Sequence, residues 1–322
     1  MYGTVFGLLI ALYLAISIGA NDETLAPLAG SGTLSVRTAV IVGAIFASLG
    51  AVLFSDRVEK TIGDQLLQGS LIEIEIVLVL VTVAFFLTFA SGLGFPVSTT
   101  HSTVGAAIGL GFAKWGLEGI NGLTAFRVSV GWIASPLIGL LGSYFLNNLF
   151  RHFQNRMVKG LSDDLRLSRW SALFLFFWMC LTEFSRGAND VGNVTAFLIH
   201  LDIAEPLIIR FINGVGLGLG LIFIGKRVIK TVGINLVKIE PVSGLAAQMV
   251  VSVTILVSTY LGLPVSGTHV LVGAIIGLGI SEDRYVDVKK IKNISLAWIG
   301  TFIGTFILAY VGYSFLDFIG MR

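Results

Sequence analysis

The sequence predicts an all-α polytopic membrane protein built from two inverted repeats, and three observations lead to this fold class. Charged residues make up 12% of the 322 residues and hydrophobic ones 55%, whereas a soluble protein has roughly 25% charged residues. Apolar stretches of about 20 residues, the length that crosses a bilayer, recur along the chain. Two polar motifs each occur twice, in both cases at an offset of 168 residues, which indicates an internal duplication.

The duplicated motifs divide the chain into matching halves. The sequence Gly19-Ala20-Asn21-Asp22, called here the GAND motif, recurs at Gly187–Asp190, and a PVSxTH motif at Pro96–His101 recurs at Pro264–His269. Each repeat is expected to hold a broken helix at GAND, three full crossings and one helical hairpin around PVSxTH. Polar, Gly/Pro-interrupted segments at corresponding places in two halves mark a transporter's binding site. The predicted units are residues 1–150, a cytoplasmic linker at 151–169, and residues 170–322.

The distribution of Lys and Arg predicts the orientation. Because the hairpin enters and leaves on one side, each half crosses the membrane an odd number of times and the second repeat is inverted. The loops near Arg37, 151–169, 225–240 and 281–292 then share one side and carry 14 Lys and Arg residues, against 6 on the other side. The positive-inside rule places the first side in the cytoplasm and both termini outside, in a multi-pass protein of the cell membrane.

The GAND motifs are candidate sodium sites. Gly and Ala allow a helix to open, and the side chains that follow would then offer hard oxygen ligands beside freed backbone carbonyls. The predicted sodium ligands are Asn21, Asp22, Asn189 and Asp190. The alternative is that these groups make polar helix–helix contacts. Supporting positions are Glu23, Thr24, Ser102, Asn193 and Arg186.

The PVSxTH motifs predict an anion site. Proline favours the first turn of a helix, so the residues after it would lie at a helix N-terminus, where free N–H groups and the helix dipole attract an anion. Two such tips that meet from opposite sides would enclose one small tetrahedral oxyanion. The predicted ligands are Ser98, Thr99, Thr100, His101, Ser266, Gly267, Thr268 and His269. Simple capping of the two helices is the structural alternative, and direct contact of the histidines with substrate is left open.

Two further features are expected to be structural. Glycine pairs with the small-xxx-small spacing, which lets helices approach closely, follow each PVSxTH motif. They are Gly105 with Gly109 and Gly273 with Gly277. Arg186 has no equivalent in the first repeat, where Ile18 takes its position, and it is expected to pair with Glu183 one turn earlier.

On these residues the chain resembles the inorganic phosphate transporter (PiT) family. GAND opens both halves, PVSTTH and PVSGTH follow, and KTIG at 60–63 is echoed by KTVG at 230–233. The resemblance covers both halves apart from 151–169, and it implies phosphate uptake coupled to sodium or protons through an inverted-repeat fold. The family's longer motif resembles GANDVAN. The second copy keeps Asn193, whereas the first departs from it at Glu23 and Leu25.

The function that this combination predicts is import of inorganic phosphate by symport with sodium, through alternating access about a central site formed by both repeats. Proton coupling, or transport of sulfate or another oxyanion, is the alternative within this class. An anion channel is disfavoured because buried carboxylates would repel anions.

A hydrolase built on Ser98, His101 and Asp22 is disfavoured because a catalytic triad needs one nucleophile, whereas this polar set is duplicated. The protein is therefore not expected to be an enzyme. The expected partners are inorganic phosphate, sodium as the coupling ion and the lipid bilayer. A homodimer is left open, and neither a cofactor beyond sodium nor nucleic acid is expected.

Overall fold

The architecture is helical in both halves. The structure is a computed structural model and describes residues 2–93, 97–226, 229 and 239–321. The helices of the first half are α1 (Tyr2–Ala20), α2 (Ala26–Gly30), α3 (Val36–Phe54), α4 (Asp56–Gly63), α5 (Glu73–Leu93), α6 (Thr99–Trp115) and α7 (Gly122–Met157). Those of the second half are α8 (Leu161–Leu198), α9 (Pro206–Phe223), α10 (Pro241–Tyr260), α11 (Gly267–Ser281) and α12 (Val288–Phe318).

Length and composition of these helices agree with the predicted class. Among the described residues, six helices are long and apolar enough to cross a membrane. These candidate spans are Val36–Phe54, Glu73–Ala90, Gly122–Met157, Pro206–Phe223, Pro241–Tyr260 and Val288–Phe318. Many of their large apolar side chains face outward, as they must against lipid. The prediction of an all-α polytopic membrane protein is confirmed.

The two halves contact each other through equivalent pairs of helices. Helix α1 packs on α9 while its counterpart α8 packs on α3, and α6 packs on α12 while its counterpart α11 packs on α7. Glycines make these crossings close. A Cβ added to Gly19 would lie 1.9 Å from the carbonyl oxygen of Leu217, and one added to Gly187 would lie 2.0 Å from that of Ala47. Each interface is therefore a backbone-to-backbone contact that only glycine permits.

The glycine pairs after PVSxTH make the same kind of contact. A Cβ added to Gly109 or to Gly277 would lie 2.2 Å from the carbonyl oxygen of Phe306 or Leu140, respectively. The expected structural role of these glycines is confirmed. Their interfaces hold each short helix, α6 or α11, against a long helix of the other repeat.

Helices α5 and α6 form a hairpin, as do α10 and α11. At the open end of the first hairpin, the backbone N–H of Gln68 donates to the carbonyl of Gly119 over 2.9 Å, and that of Asn121 donates to the carbonyl of Leu66 over 3.0 Å. The second open end is closed by an ion pair of 2.6 Å between Arg284 and Glu240.

The hairpins open at opposite ends of the bundle. Helix α7 starts at Gly122, directly beside the first opening. Near its other end, the side chain of Asn147 donates to Ser281 Oγ over 2.7 Å, beside the second opening. Helix α7 therefore runs from one opening to the other. The closed tips of the two hairpins lie between these openings and point toward each other.

The GAND copies have different backbones. In the first copy α1 ends at Ala20 and α2 begins at Ala26, so the helix is broken as predicted. In the second copy α8 runs without interruption from Leu161 to Leu198, so the prediction of a broken helix there is wrong. The reason lies after the motif. Proline at position 27 lacks an N–H donor, whereas the equivalent Thr195 can continue a helix.

Side chains reinforce this difference. Asp22 Oδ1 accepts from both the backbone N–H (2.9 Å) and the hydroxyl (2.7 Å) of Thr24, a local turn that competes with helical hydrogen bonds. In the second copy Asn193 instead donates to the carbonyl of Asn189, one turn earlier, over 2.8 Å. That bond lies along the helix and is compatible with it.

Other sequence predictions meet the structure only in part. Residues 151–157 belong to α7 and residues 161–169 to α8, so the junction between the halves is mostly helical. The division into units at 150 and 170 stays a prediction. Pro96, the KTVG segment at 230–233 and most of the basic loop at 225–240 lie outside the described residues.

Candidate functional site

The two PVSxTH tips form capped helix N-termini. Ser98 is the N-cap of α6, and its hydroxyl accepts from the backbone N–H of His101 over 3.2 Å. Ser266 does the same for His269 at the start of α11, over 3.3 Å. The capping alternative is therefore realised at both serines. It leaves the other N–H groups of each first turn available.

The tips interlock through equivalent contacts. The hydroxyl of Thr100 donates to the carbonyl of Val265 over 3.1 Å, and that of Thr268 lies 3.5 Å from the carbonyl of Val97. Each threonine thus reaches the residue two positions before the other tip's helix. All eight predicted anion ligands are buried, and the structure brings the two groups of four together.

Four aromatic rings, two of them the motif histidines, contact one another in a row. Ring centroids lie 3.9 Å apart for Trp132 and His101, 4.6 Å for His101 and His269, and 3.7 Å for His269 and Trp298. His269 Nδ1 also lies 3.2 Å from the carbonyl oxygen of Trp132. The sequence analysis missed both tryptophans. They lie on equivalent helices but two residues out of register, since Trp132 corresponds to Gly300 and Trp298 to Val130, so the exact offset of 168 gave no signal for them.

One arginine gathers the carboxylates of both GAND regions. Arg186 Nη1 lies 2.8 Å from Glu23 Oε1, and its Nε lies 2.8 Å from Asp190 Oδ2 and 3.5 Å from Asp22 Oδ1. The expected pair between Arg186 and Glu183 is therefore wrong. Although Glu183 is one turn away, its Oε1 instead lies 2.6 Å from Thr24 Oγ1, the hydroxyl oxygen that also contacts Asp22.

The GAND asparagines hold the hairpin tips of their own repeats. Asn21 donates to the carbonyl of Val97 over 2.6 Å and accepts from the N–H of the same residue over 3.4 Å. Asn189 donates to the Thr259 hydroxyl over 3.0 Å and to the carbonyl of Leu263 over 3.2 Å. The polar-contact alternative is thus realised in part. Ser102, a supporting position, donates to the carbonyl of Ser98 over 3.1 Å.

Several buried oxygens at this centre have no hydrogen-bond partner among the described residues. They are Asp22 Oδ2, Glu23 Oε2, Thr99 Oγ1, Glu183 Oε2, Asn189 Oδ1 and Asn193 Oδ1. A buried polar atom without a partner costs roughly 1–3 kcal/mol. Carboxylate, amide and hydroxyl oxygens are the donors that a hard cation such as sodium accepts, so the chemistry of this set suits one.

Among the described residues, the centre holds more carboxyl groups than fixed cations. Glu183, which was not among the predicted site residues, joins Asp22, Glu23 and Asp190 as a fourth buried carboxyl, against the single guanidinium of Arg186. Its signal in the sequence was an acid inside an apolar stretch. Gln248, which donates to the carbonyl of Thr24 over 3.2 Å, had no such signal, because its counterpart in the first repeat is Leu80.

Comparison with known proteins identifies the class. Residues 18–309 match the model of the phosphate transporter family. A Chlamydia pneumoniae protein named "Putative phosphate permease" is 28% identical, with 91% of this chain and 93% of that protein covered. A protein of Pyrococcus abyssi with the same description is 26% identical, with 91% and 93% covered.

A solved structure, titled "The sodium-dependent phosphate transporter", is also similar. It superposes with a TM-score of 0.86 at 25% identity and covers 99% of this chain and 100% of that one. Fold and comparisons together define a multi-pass membrane transporter, not an enzyme. The chain belongs to the phosphate transporter family. The resemblance stated on the GAND and PVSxTH motifs is confirmed.

Proposed function

We propose that this transporter imports inorganic phosphate by symport with sodium, with alternating access about the centre where the two hairpin tips meet. The observation that carries the proposal is the placement of two capped helix N-termini, linked by Thr100 and Thr268, beside a buried carboxylate cluster. Helix N-termini attract an anion. The cluster attracts cations, so one centre suits both solutes.

Phosphate binds between the two tips in this proposal. Its ligands are the first-turn N–H groups and the side chains of Ser98, Thr99, Thr100, His101, Ser266, Thr268 and His269, with Gly267 contributing its backbone. The unpartnered hydroxyl of Thr99 supports this assignment. A neighbouring carboxylate also favours phosphate over sulfate, because monohydrogen phosphate can donate a hydrogen bond to it and sulfate cannot.

Sodium is held by Asn21, Asp22, Asn189 and Asp190 with nearby carbonyls and hydroxyls. The support is the set of unpartnered oxygens, which includes Asp22 Oδ2 and Asn189 Oδ1. Four carboxyls and one guanidinium would repel phosphate unless further positive charge enters with it. Each solute therefore raises the affinity for the other, and this reciprocity couples their transport.

The variant Asp22→Asn tests the sodium assignment. Removing one carboxylate from the cluster should weaken sodium activation of phosphate uptake by about tenfold or more in half-saturating concentration, an effect of roughly 1.4 kcal/mol. Sodium activation identical to that of the wild type would contradict the assignment of Asp22.

Orientation completes the proposal. The excess of Lys and Arg on the loops near Arg37, 151–169, 225–240 and 281–292 supports a cytoplasmic position for that side, with both termini outside. The repeats then relate to each other as inverted units on either side of residues 151–169.

Uptake of labelled phosphate into proteoliposomes tests the function as a whole. Sodium and pH gradients are imposed separately, and sulfate is added as competitor. We expect uptake to follow the inward sodium gradient and to resist sulfate. Uptake driven by a pH gradient alone would favour proton coupling, and strong competition by sulfate would favour the broader oxyanion alternative.

A further inference from the structure

The repeats differ in sequence at three positions that the structure brings to one point. At the offset of 168 residues, Glu23 corresponds to Val191, Arg186 to Ile18 and Gly267 to Thr99. Glu23 and Arg186 are 163 residues apart in the chain, yet they form an ion pair of 2.8 Å. Both side chains are buried.

Gly267 makes room for this pair. A Cβ added there would lie 3.1 Å from Arg186 Nη1 and 3.4 Å from its Cδ. A threonine, which the first repeat has at the equivalent position, would therefore compete with the guanidinium for space. The three differences between the repeats therefore belong together. Arg186 is the cation, Glu23 is its partner, and Gly267 leaves the space that the guanidinium occupies.

The guanidinium lies where a cation shared by the two GAND motifs would lie. Its Nε contacts Asp190 of one motif at 2.8 Å and Asp22 of the other at 3.5 Å. With Ile and Val at positions 186 and 23, as in a fully symmetric pair of repeats, these two carboxylates would face a buried space with no fixed positive charge. Mobile cations or protons then have to neutralise these carboxylates, and the oxygen ligands of the two motifs suit a sodium ion in that space.

We propose that Arg186 is a tethered cation that takes the place of one coupling sodium ion between Asp22 and Asp190, and that Glu23 holds it there. The other end of the guanidinium reaches the N-terminus of α11 at Gly267, so its charge stands beside the proposed phosphate position. The consequence is that this transporter moves one sodium ion fewer per phosphate than it would without Arg186. The inference rests on the proposed sodium–phosphate symport.

The test exchanges the pair for its counterparts from the opposite repeat. The double variant Glu23→Val/Arg186→Ile leaves the formal net charge unchanged and removes the tethered cation. Phosphate uptake into proteoliposomes is measured against sodium concentration, and the sodium-to-phosphate ratio is obtained from the reversal potential. We expect the Hill coefficient for sodium and the ratio each to rise by about one, and half-saturation to need more sodium.

Two further variants keep the test decisive. Arg186→Lys retains the positive charge and is expected to keep the wild-type ratio at a reduced rate. Glu23→Gln/Arg186→Gln removes both charges but keeps polar groups of similar size, and it replaces the first double variant should that one fail to fold. The same gain of one sodium ion is expected for it.

The outcomes separate the two proposals. Sodium-driven uptake by the wild type, with an unchanged ratio in the neutral double variants, would overturn the tethered-cation inference and leave the symport intact. A wild type whose phosphate uptake is indifferent to sodium would overturn both. A higher ratio in Arg186→Lys, which keeps the charge, would also overturn the inference.

Discussion

The two GAND regions have the same four residues and opposite backbones. After the first, the helix stops at Ala20 and resumes at Ala26, whereas the second lies within the unbroken α8. The motif itself therefore does not decide whether the helix opens. Residues downstream of it do, because Pro27 has no N–H donor and the Asp22 side chain binds Thr24.

The same comparison separates the symmetric from the asymmetric part of the molecule. Equivalent glycines make the helix crossings, and Thr100 and Thr268 make equivalent contacts between the tips. The charged centre is not symmetric, because Glu23 and Arg186 each occur in one repeat only. The helix packing is therefore shared by the two repeats, whereas the charges at the centre come from residues that only one repeat has.

The largest effect is expected where the scaffold is symmetric. Gly19→Val and Gly187→Val should both abolish the folded protein, a loss of more than about 4 kcal/mol, because each side chain would overlap a backbone carbonyl. Folded yield and thermal unfolding in detergent measure this. Gly300→Ala is the matched control, since a Cβ there meets no described atom within 4 Å. A stable Gly19→Val beside an unfolded Gly187→Val would show that the two helix crossings are not equivalent.

The next effect is expected at the asymmetric pair. Arg186→Ile alone should destabilise the protein by about 3–5 kcal/mol, because it leaves three buried carboxylates without their common partner. Adding Glu23→Val should restore part of this loss and make the remaining stability depend on sodium. Thermal unfolding across a sodium titration, arranged as a double-mutant cycle, measures the coupling. Additive effects of the two substitutions would contradict a direct interaction.

A smaller effect is expected from exchanging the residues that decide helix continuity. Thr195→Pro should cost about 3 kcal/mol, because a proline inside α8 removes a helical hydrogen bond. The reverse exchange, Pro27→Thr, should cost less than about 1 kcal/mol, because the turn at Asp22 and Thr24 remains. Unfolding of both variants provides the measurement. Equal costs would contradict the inference that only the second copy needs a residue with an N–H donor at this position.

The smallest effect is expected at the tip contacts. Thr100→Val and Thr268→Val each remove one hydrogen bond to a carbonyl of the opposite tip, and each should lower stability by about 1 kcal/mol. Similar losses in stability would support the equivalence of the two threonine contacts. A loss confined to Thr100→Val would show that the 3.5 Å contact of Thr268 contributes nothing.

Much of the fold could be predicted from the sequence because its signals are local. Apolar stretches of spanning length and motifs repeated at one offset need no tertiary information, and the glycine spacing after PVSxTH correctly indicated close crossings. The predicted break in the second repeat failed for the opposite reason. A Gly-Ala pair permits an open helix but does not require one when the following residues can continue it.

Within the candidate site, the sequence alone determined which residue types would be available: hydroxyls at two helix N-termini, and amides and carboxylates in two copies of GAND. Only the tertiary structure decided their partners. It joined Arg186 to Glu23 across 163 residues and not to Glu183 one turn away. It also placed two tryptophan rings against the histidine pair. The physical reason is that an ion pair or ring contact depends on distances between helices, which the periodicity of a single helix does not contain.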